Sequence, residues 1–343
     1  MKPLLNTLFV TTQGAYLRKN HETVEVRVEQ ETTLTVPFHL LSGIVCFGRV
    51  TVSPALMGAC ADRAIGFSFL SSNGRFMARV EGPASGNVLL RRQQYRLADD
   101  PSAALGIAMG FVFGKLANAR TLLQRAAREH DDPTAQAHLE GAVAQLGTRL
   151  KTLKDPPDMD TLRGIEGEAA TICFGALGSL IRKQREAFTF EKRTRRPPKD
   201  PVNALLSFLY SVLLHDAASA LEAVGLDPAV GYLHADRPGR LSLALDLMEE
   251  FRPALADRLV ISLINLGQVK AKGFQKMETG AVKMDEGTRK TVLTAYQKRK
   301  QDELTHPFTG TRTTVGLLLH LQARLLARTI RGDLDVYPPY LMK

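Results

Sequence analysis

Tryptophan is absent from this chain of 343 residues, and aromatic residues of all kinds make up only 6% of it. Cysteine is scarce as well: Cys46, Cys60 and Cys173 are far apart and form no Cys-x-x-Cys pair. This spacing argues against a zinc ribbon and against a disulfide framework, and it fits a reducing cytosol. Because all three have apolar neighbours in sequence, we expect them to act as small core residues.

Acidic residues are fewer than basic ones: the chain has 35 Asp and Glu and 45 Lys and Arg, which gives a net charge of +10. Such a balance predicts a polyanionic partner, either nucleic acid or an anionic membrane surface, with a merely basic enzyme as the alternative. The first 13 residues lack the apolar core and cleavage site of a signal peptide. We also expect no stretch with the roughly 18 apolar residues that a membrane span needs. Nucleic acid is therefore favoured over membrane.

The chain predicts an α+β fold made of two domains. Residues 1–84 contain short runs rich in β-branched residues, and residues 24–28 alternate strictly as a half-buried strand does, which indicates a small β-sandwich-like domain. Residues 85–343 carry long runs with helical periodicity and predict a larger all-α domain that holds the functional site. Residues 104–116 are apolar nearly all round and predict a central helix. Helix starts are expected at Asp200-Pro201 and at Asp227-Pro228.

Four residues are candidates for a metal site: Glu166, His234, Asp246 and Glu249. Three carboxylates and one imidazole form an oxygen-rich set that suits Mg²⁺ or Mn²⁺ better than zinc. Asp246 and Glu249 are three residues apart on one predicted helix, so they project from the same face. Because carboxylates in an apolar setting repel each other, they need a cation, either a divalent ion or a nearby arginine. The arginines close in sequence are Arg237, Arg240 and Arg252.

Glu166 lies between Gly164 and Gly167 in a stretch that otherwise has a helical pattern. Each glycine inside a helix costs roughly 1 kcal/mol relative to alanine, so close approach of another backbone or space around a ligated carboxylate would explain the pair. The alternative is a frayed first turn in which Glu166 complements the helix N-terminus. A lone histidine such as His234 is more often structural than a ligand, so spacing alone leaves the metal site open.

Basic stretches are candidates for sequence-independent contacts with DNA phosphates, with a solvated basic face as the alternative. The residues selected are Arg182, Arg193, Arg195, Arg196, Lys199, Arg240, Lys270 and Lys272. A further stripe on the helix after Asp200 consists of Asn203, Ser207, Tyr210 and Leu214. Asn203 either positions a ligand there or is a satisfied core residue, and spacing does not decide between the two.

Five motifs stand out along the chain: residues 47–56, 164–167, 197–206, 221–234 and 240–253. Through them the sequence resembles the CRISPR-associated endonuclease/integrase family, the larger protein of the spacer-acquisition module. The resemblance covers nearly the whole chain, and the subtype it resembles is that of type I-C systems.

The resemblance implies a prokaryotic cytoplasmic enzyme that inserts captured DNA into a CRISPR array. It implies Glu166, His234 and Glu249 as ligands of Mg²⁺ or Mn²⁺, with Asp246 as a further catalytic acid. Some relatives carry Asp where Glu249 stands, so the choice between Asp246 and Glu249 as the direct ligand remains open. Its substrates are double-stranded and branched DNA. Its partners are a second copy of the chain, a small ferredoxin-like protein that completes a heterohexamer, and an iron–sulfur CRISPR-associated exonuclease.

Two other function classes compete with this reading. One is a non-catalytic DNA-binding scaffold with a vestigial acidic pocket, which metal-dependent nicking of branched DNA would exclude. The other is a metal-dependent phosphohydrolase of small substrates, against which the large basic clusters argue, because a nucleotide needs few cations. Fold alone does not separate these classes.

Overall fold

The computed structural model describes residues 6–63, 65–72, 76–82, 88–153 and 158–342. Its N-terminal part contains two four-stranded sheets, with strand orders β1-β5-β7-β8 and β4-β3-β2-β6. The strands are β1 (Asn6–Val10), β2 (Tyr16–Asn20), β3 (Thr23–Val28), β4 (Glu31–Pro37), β5 (Leu41–Phe47), β6 (Thr51–Val52), β7 (Gly66–Leu70) and β8 (Phe76–Val80). Both sheets are mixed, because β1, β5 and β7 run parallel while β8 pairs antiparallel, and β6 runs parallel to β2.

The alternation of side chains along β5 gives this strand two buried faces. Ile44 and Cys46 join the core between the two sheets, whereas Val45 and Phe47 join the core of the helical part. This is the period-2 geometry of a strand that is covered on both sides. The β-rich N-terminal region is therefore confirmed, while the proposed boundary at residue 84 lies outside the described residues.

Helices dominate the remainder of the chain. They are α1 (Pro54–Asp62) within the β region, then α2 (Val88–Asp99), α3 (Pro101–Arg128), α4 (Pro133–Thr152), α5 (Met159–Leu177), α6 (Pro201–Ala223), α7 (Ser242–Met248), α8 (Arg258–Asn265), α9 (Glu286–Lys300) and α10 (Leu318–Arg331). A π-helical segment, Arg252–Asp257, precedes α8. By length and mean hydropathy α3 and α6 could span a membrane, contrary to our expectation, but 61% and 67% of their most apolar windows are buried inside the protein.

The expectation of an all-helical second part was wrong in one respect. Two short antiparallel hairpins interrupt it, β9 (Phe274–Lys276) with β10 (Val282–Met284) and β11 (Glu303–Thr305) with β12 (Arg312–Thr314). Gly280, at φ +75°, lies in the turn of the first hairpin. Strands of three residues are too short for periodicity to reveal them.

The two predicted helix starts had different outcomes. Asp200 caps α6 as expected, since its Oδ1 accepts from the backbone N–H of Asn203 at 2.8 Å. Asp227-Pro228 starts no helix, and Asp227 Oδ1 instead accepts from the N–H of Ala229 in a turn. The side chain of Gln94 holds this turn by accepting from the N–H of Asp227 and donating to its carbonyl. A tertiary contact has therefore overridden the local signal.

The segment after α10 packs against α3. The ring of Tyr337 lies 4.9 Å from that of Phe111, measured between centroids. A Cβ atom added at Gly114 would lie 2.8 Å from Pro339 Cβ and 3.0 Å from Glu250 Cβ, so glycine permits this close approach. We call residues 332–342 the C-terminal tail; its side chains Tyr337, Tyr340 and Met342 lie in the core.

Candidate metal centre

Four parts of the fold bring the candidate residues together. Glu166 lies on α5, Asp246 on α7, Glu249 immediately after α7, and His234 in the loop before it. Glu166 and Glu249 both form ion pairs with the ammonium of Lys115, which comes from α3, and Lys115 Nζ lies 2.7 Å from Glu249 Oε2. His234 Nε2 lies 4.0 Å from Glu249 Oε1. Two carboxylates therefore bind one cation, and the imidazole lies beside one of them.

Asp246 is fully buried and turns towards the 231–234 loop. Its Oδ2 accepts from the backbone N–H groups of Tyr232 and Leu233 at 2.7 and 3.0 Å, and its Oδ1 accepts from that of His234 at 3.0 Å. The same Oδ1 lies 2.6 Å from His234 Nδ1. A Cβ atom at Gly231 would lie 2.8 Å from Asp246 Oδ2, so glycine lets the loop approach this closely.

The contacts of Asp246 define the role of His234. Since Asp246 accepts from three N–H groups, the short contact with His234 Nδ1 is best met by an Nδ1–H donor. This tautomer leaves the Nε2 lone pair facing Glu249. A carboxylate that orients an imidazole through Nδ1, so that Nε2 can bind a metal, is a common arrangement in metal sites. Asp246 thus positions His234 instead of facing the centre itself.

Glu249 is ionised despite its burial. Its side chain is 2% exposed, and burial alone raises its pKa, but the charges of Arg252 and Lys115 outweigh that effect and hold the pKa well below the usual range. Arg252 Nη1 lies 2.9 Å from Glu249 Oε1. The ion-pair alternative from the sequence is thus realised for Arg252.

The residues present fit a divalent cation. Within the described part of the chain, no three His, Cys, Asp or Glu side chains form a ready-made metal cluster. However, Glu249 Oε2 accepts no hydrogen bond of good geometry even though Lys115 lies beside it, and both carboxylates already bind one cation. Two carboxylates with one imidazole are a donor set that suits Mn²⁺ and Mg²⁺.

A second layer of residues supports Arg252. The guanidinium groups of Arg193 and Arg252 lie 5.4 and 4.9 Å from the centroid of the Tyr210 ring. Tyr210 donates to Asp257 Oδ1 at 2.5 Å. Asn203 Oδ1 and Ser207 Oγ accept from Arg193 at 2.7 and 3.0 Å. The predicted stripe on α6 thus lies beside the centre, but Asn203 binds Arg193 and not a metal-site residue.

Two of the three explanations for the glycines around Glu166 are wrong. Glu166 lies in the interior of α5, whose N-cap is Asp158, so a frayed first turn is excluded. A Cβ atom at Gly164 or Gly167 would meet no atom of the described residues within 4 Å, so none of their backbone approaches closely. Space around a ligated carboxylate, the third explanation, stays a prediction.

Lys115 was missed by the sequence analysis. It is the only charged residue in the first 19 residues of α3, and its side chain is 10% exposed. That isolation was a usable signal, because a buried lysine requires a carboxylate partner.

The basic residues selected from the sequence have different environments. Arg193 is engaged inside the protein, whereas Arg240 is half-buried. Burial and the neighbouring charges of Arg237, Arg163 and Arg195 together lower the pKa of Arg240. Arg163 donates to the carbonyl of Leu233 at 2.9 Å, and we call these four electrostatically coupled arginines the arginine cluster. The remaining candidates are exposed: Arg182, Arg195, Arg196, Lys199, Lys270 and Lys272.

An open pocket of about 340 Å³ adjoins His234. Arg163 of the arginine cluster lines it, as do Tyr95 of α2 and Asp236 of the loop. The imidazole is 22% exposed, so the centre can be reached from this side.

Comparisons with known proteins place the chain in a family. The sequence pattern of the family described as CRISPR associated protein Cas1 matches residues 8–298. The CRISPR-associated endonuclease Cas1 1 of Chlorobaculum tepidum is 52% identical over 343 residues, which covers all of both chains.

Solved structures show the same fold. A casposase bound to integration product superposes with a TM-score of 0.84 at 21% identity, covering 99% of this chain and 95% of that one. A chain of a Cas6-RT-Cas1–Cas2 complex gives a TM-score of 0.83 at 22% identity, covering 99% of this chain and 36% of that one. Together with the sequence match, these likenesses establish that the chain belongs to the Cas1 family of CRISPR-associated endonucleases.

Proposed function

We propose that this chain is a divalent-metal-dependent DNA endonuclease and integrase that inserts short DNA fragments into a CRISPR array of type I-C. The observation that carries the proposal is the pairing of Glu166 and Glu249 with one ammonium group, with His234 Nε2 4.0 Å from Glu249 Oε1. The endonuclease names of its relatives and the fold shared with a casposase bound to integration product support it.

The residues have distinct roles in this proposal. Glu166, Glu249 and the Nε2 atom of His234 would hold Mg²⁺ or Mn²⁺, while Asp246 orients the imidazole. When bound, the ion would act as a Lewis acid that activates a hydroxyl and stabilises charge on a phosphate. This assignment makes Glu249 the direct ligand and gives Asp246 a positioning role.

The reaction is a transesterification. The 3′-hydroxyl oxygen of the incoming DNA forms a bond to a phosphorus atom of the repeat, the phosphorus bond to the repeat's 3′ oxygen breaks, and that oxygen takes up a proton. The arginine cluster would contact the phosphates that flank the reacting group, because guanidinium groups bind phosphate oxygens in pairs. Contacts to phosphates carry no sequence information, which suits captured DNA of variable sequence.

The proposal includes partners and location. A cytoplasmic prokaryotic protein of this family would act as a homodimer on double-stranded and branched DNA. The fold shared with a chain of a Cas6-RT-Cas1–Cas2 complex supports a small partner of the Cas2 kind, with which two dimers would form a heterohexamer. An iron–sulfur CRISPR-associated exonuclease is the further partner that the resemblance implies.

Nicking of branched DNA in Mn²⁺ tests the proposal. We expect Glu166→Ala and His234→Ala to abolish nicking while the binding of DNA persists. Glu168→Ala is the matched control, because Glu168 lies two residues away on α5 and is exposed. Nicking at the wild-type rate by Glu166→Ala would contradict the metal assignment. DNA binding without any nicking by the wild type would favour the scaffold function.

A further inference from the structure

Lys115 occupies the position between the two glutamates that the proposed function assigns to a metal ion. Its ammonium pairs with Glu166 on α5 and with Glu249 after α7, at 2.7 Å from Glu249 Oε2. The Lys115 and Glu249 side chains are 10% and 2% exposed, so water screens this pair little. Lys115 also comes from a helix that contributes no other residue to the centre.

The position of Lys115 determines the charge balance of the centre. Glu166 and Glu249 carry two negative charges, and the cations paired directly with them, Lys115 and Arg252, carry two positive charges. Asp246, bonded to His234, adds one more negative charge, so a divalent ion added to the centre leaves an uncompensated charge of +1 in a largely buried site, which is unfavourable. Arg252 is held by Glu249 and by the Tyr210 ring. Lys115 is the paired cation that bridges both proposed ligands, and its flexible stem lets it leave.

We propose that Lys115 is a resident counter-cation that competes with the divalent metal for Glu166 and Glu249. In the metal-free protein it keeps the two carboxylates together and suppresses their repulsion. Metal loading then requires the ammonium to withdraw, so Lys115 lowers the metal affinity of the site. This inference rests on the proposed function of the same centre.

Mn²⁺ binding measured by the electron paramagnetic resonance signal of free Mn²⁺ tests this inference in the full chain. We expect Lys115→Gln, which removes the charge but keeps most of the length, to bind Mn²⁺ about tenfold more tightly than the wild type. Lys115→Met should act in the same direction. The control is Lys300→Gln, which also removes a buried lysine, one that pairs with Asp216 at 2.8 Å. It should leave the affinity unchanged.

Glu166→Ala distinguishes a failure of the proposed competition from a failure of the proposed metal site. Mn²⁺ binding by the wild type that does not depend on Glu166 would overturn the proposed function itself. If that binding does depend on Glu166, but folded Lys115→Gln and Lys115→Met bind Mn²⁺ equally or more weakly than the wild type, the competition is wrong. Lys115 would then be needed to position the ligands. Circular dichroism spectra of the variants establish that each one is folded.

Discussion

Glu249 and Glu250 are consecutive and both buried, yet they face opposite environments. Glu249 turns to Lys115 and Arg252, and their charges hold its pKa well below the usual range. Glu250 turns to the C-terminal tail, where the described residues reach it with neutral donors only, and burial raises its pKa to about 8. The charge of a buried carboxylate is therefore set by its partners and not by its depth.

The two faces also differ in what they can do. The Glu249 face contains an ionised carboxylate, an imidazole and a pocket that opens beside them, so it can bind a cation. The Glu250 face is closed by hydrogen bonds from Tyr337 Oη and the Tyr340 N–H, both at 2.6 Å. Asn118 of α3 also bonds the backbone of Glu250 and of the tail. We infer that the hydrogen bonds around Glu250 hold in place the backbone that carries Glu249.

The largest expected effect is a difference in nicking rate between variants of the two glutamates. Glu249→Gln removes a charged ligand, and we expect metal-dependent nicking to fall more than about hundredfold, since loss of a residue outside the ligand set already costs about 10- to 100-fold. Glu250→Gln should nick close to the wild-type rate, because a neutral amide can replace a protonated carboxyl. Initial nicking rates in Mn²⁺ measure both, and equal losses would remove the distinction.

Asp246→Asn should have the next largest effect. The amide can no longer accept from every N–H group around it, so His234 loses its fixed tautomer, and we expect Mn²⁺ affinity to fall about 10- to 100-fold. Titration with Mn²⁺ measures it, and Asp236→Asn, an exposed neighbour in the same loop, is the control. An unchanged affinity would show that Asp246 does not act through His234.

The pH dependence of stability should distinguish the faces without using activity. In the folded protein Glu250 keeps its proton up to about pH 8, whereas in the unfolded chain it releases the proton near its ordinary value of 4.5. The folded state therefore binds more protons between these values, so this contribution is complete below pH 4.5 and is lost as pH rises through 8. We expect the free energy of unfolding to fall less between pH 6 and pH 9 in Glu250→Gln than in the wild type. Parallel urea-unfolding profiles would contradict this.

The smallest effect concerns a single bond to the tail. Tyr337→Phe removes the hydroxyl that donates to Glu250, and we expect a loss of about 1 kcal/mol in the free energy of unfolding. Nicking should change little, since Tyr337 lies behind the centre. Tyr16→Phe, on β2 and 38% exposed, is the control, and a comparable loss there would remove the special role of the tail.

The four candidate residues could be selected from the sequence, but the family motifs selected them and spacing alone did not. The structure brings Glu166 and Glu249 to one lysine and places His234 between Asp246 and Glu249. Sequence spacing could not choose between Asp246 and Glu249, since the choice depends on backbone N–H groups of the 231–234 loop. Only the folded structure shows that Asp246 accepts hydrogen bonds from those N–H groups.

What the sequence did not reveal depends on contacts between distant elements. Lys115 meets its partners 51 residues away on α5 and beyond α7, and no local pattern encodes those pairs. Asp227-Pro228 has a helix-start signal, but Gln94 of α2 holds it as a turn. The short hairpins β9-β10 and β11-β12 escaped because three residues show no period. The β-rich and helical regions, in contrast, follow from long periodic runs.

Anomalous diffraction from crystals grown with Mn²⁺ tests the central claim most directly. We predict a manganese peak within bonding distance of Glu166, Glu249 and His234 Nε2, with Lys115 withdrawn and Asp246 still bonded to His234 Nδ1. A peak bound by Asp246 or Glu250, or no peak at the centre at saturating Mn²⁺, would contradict it.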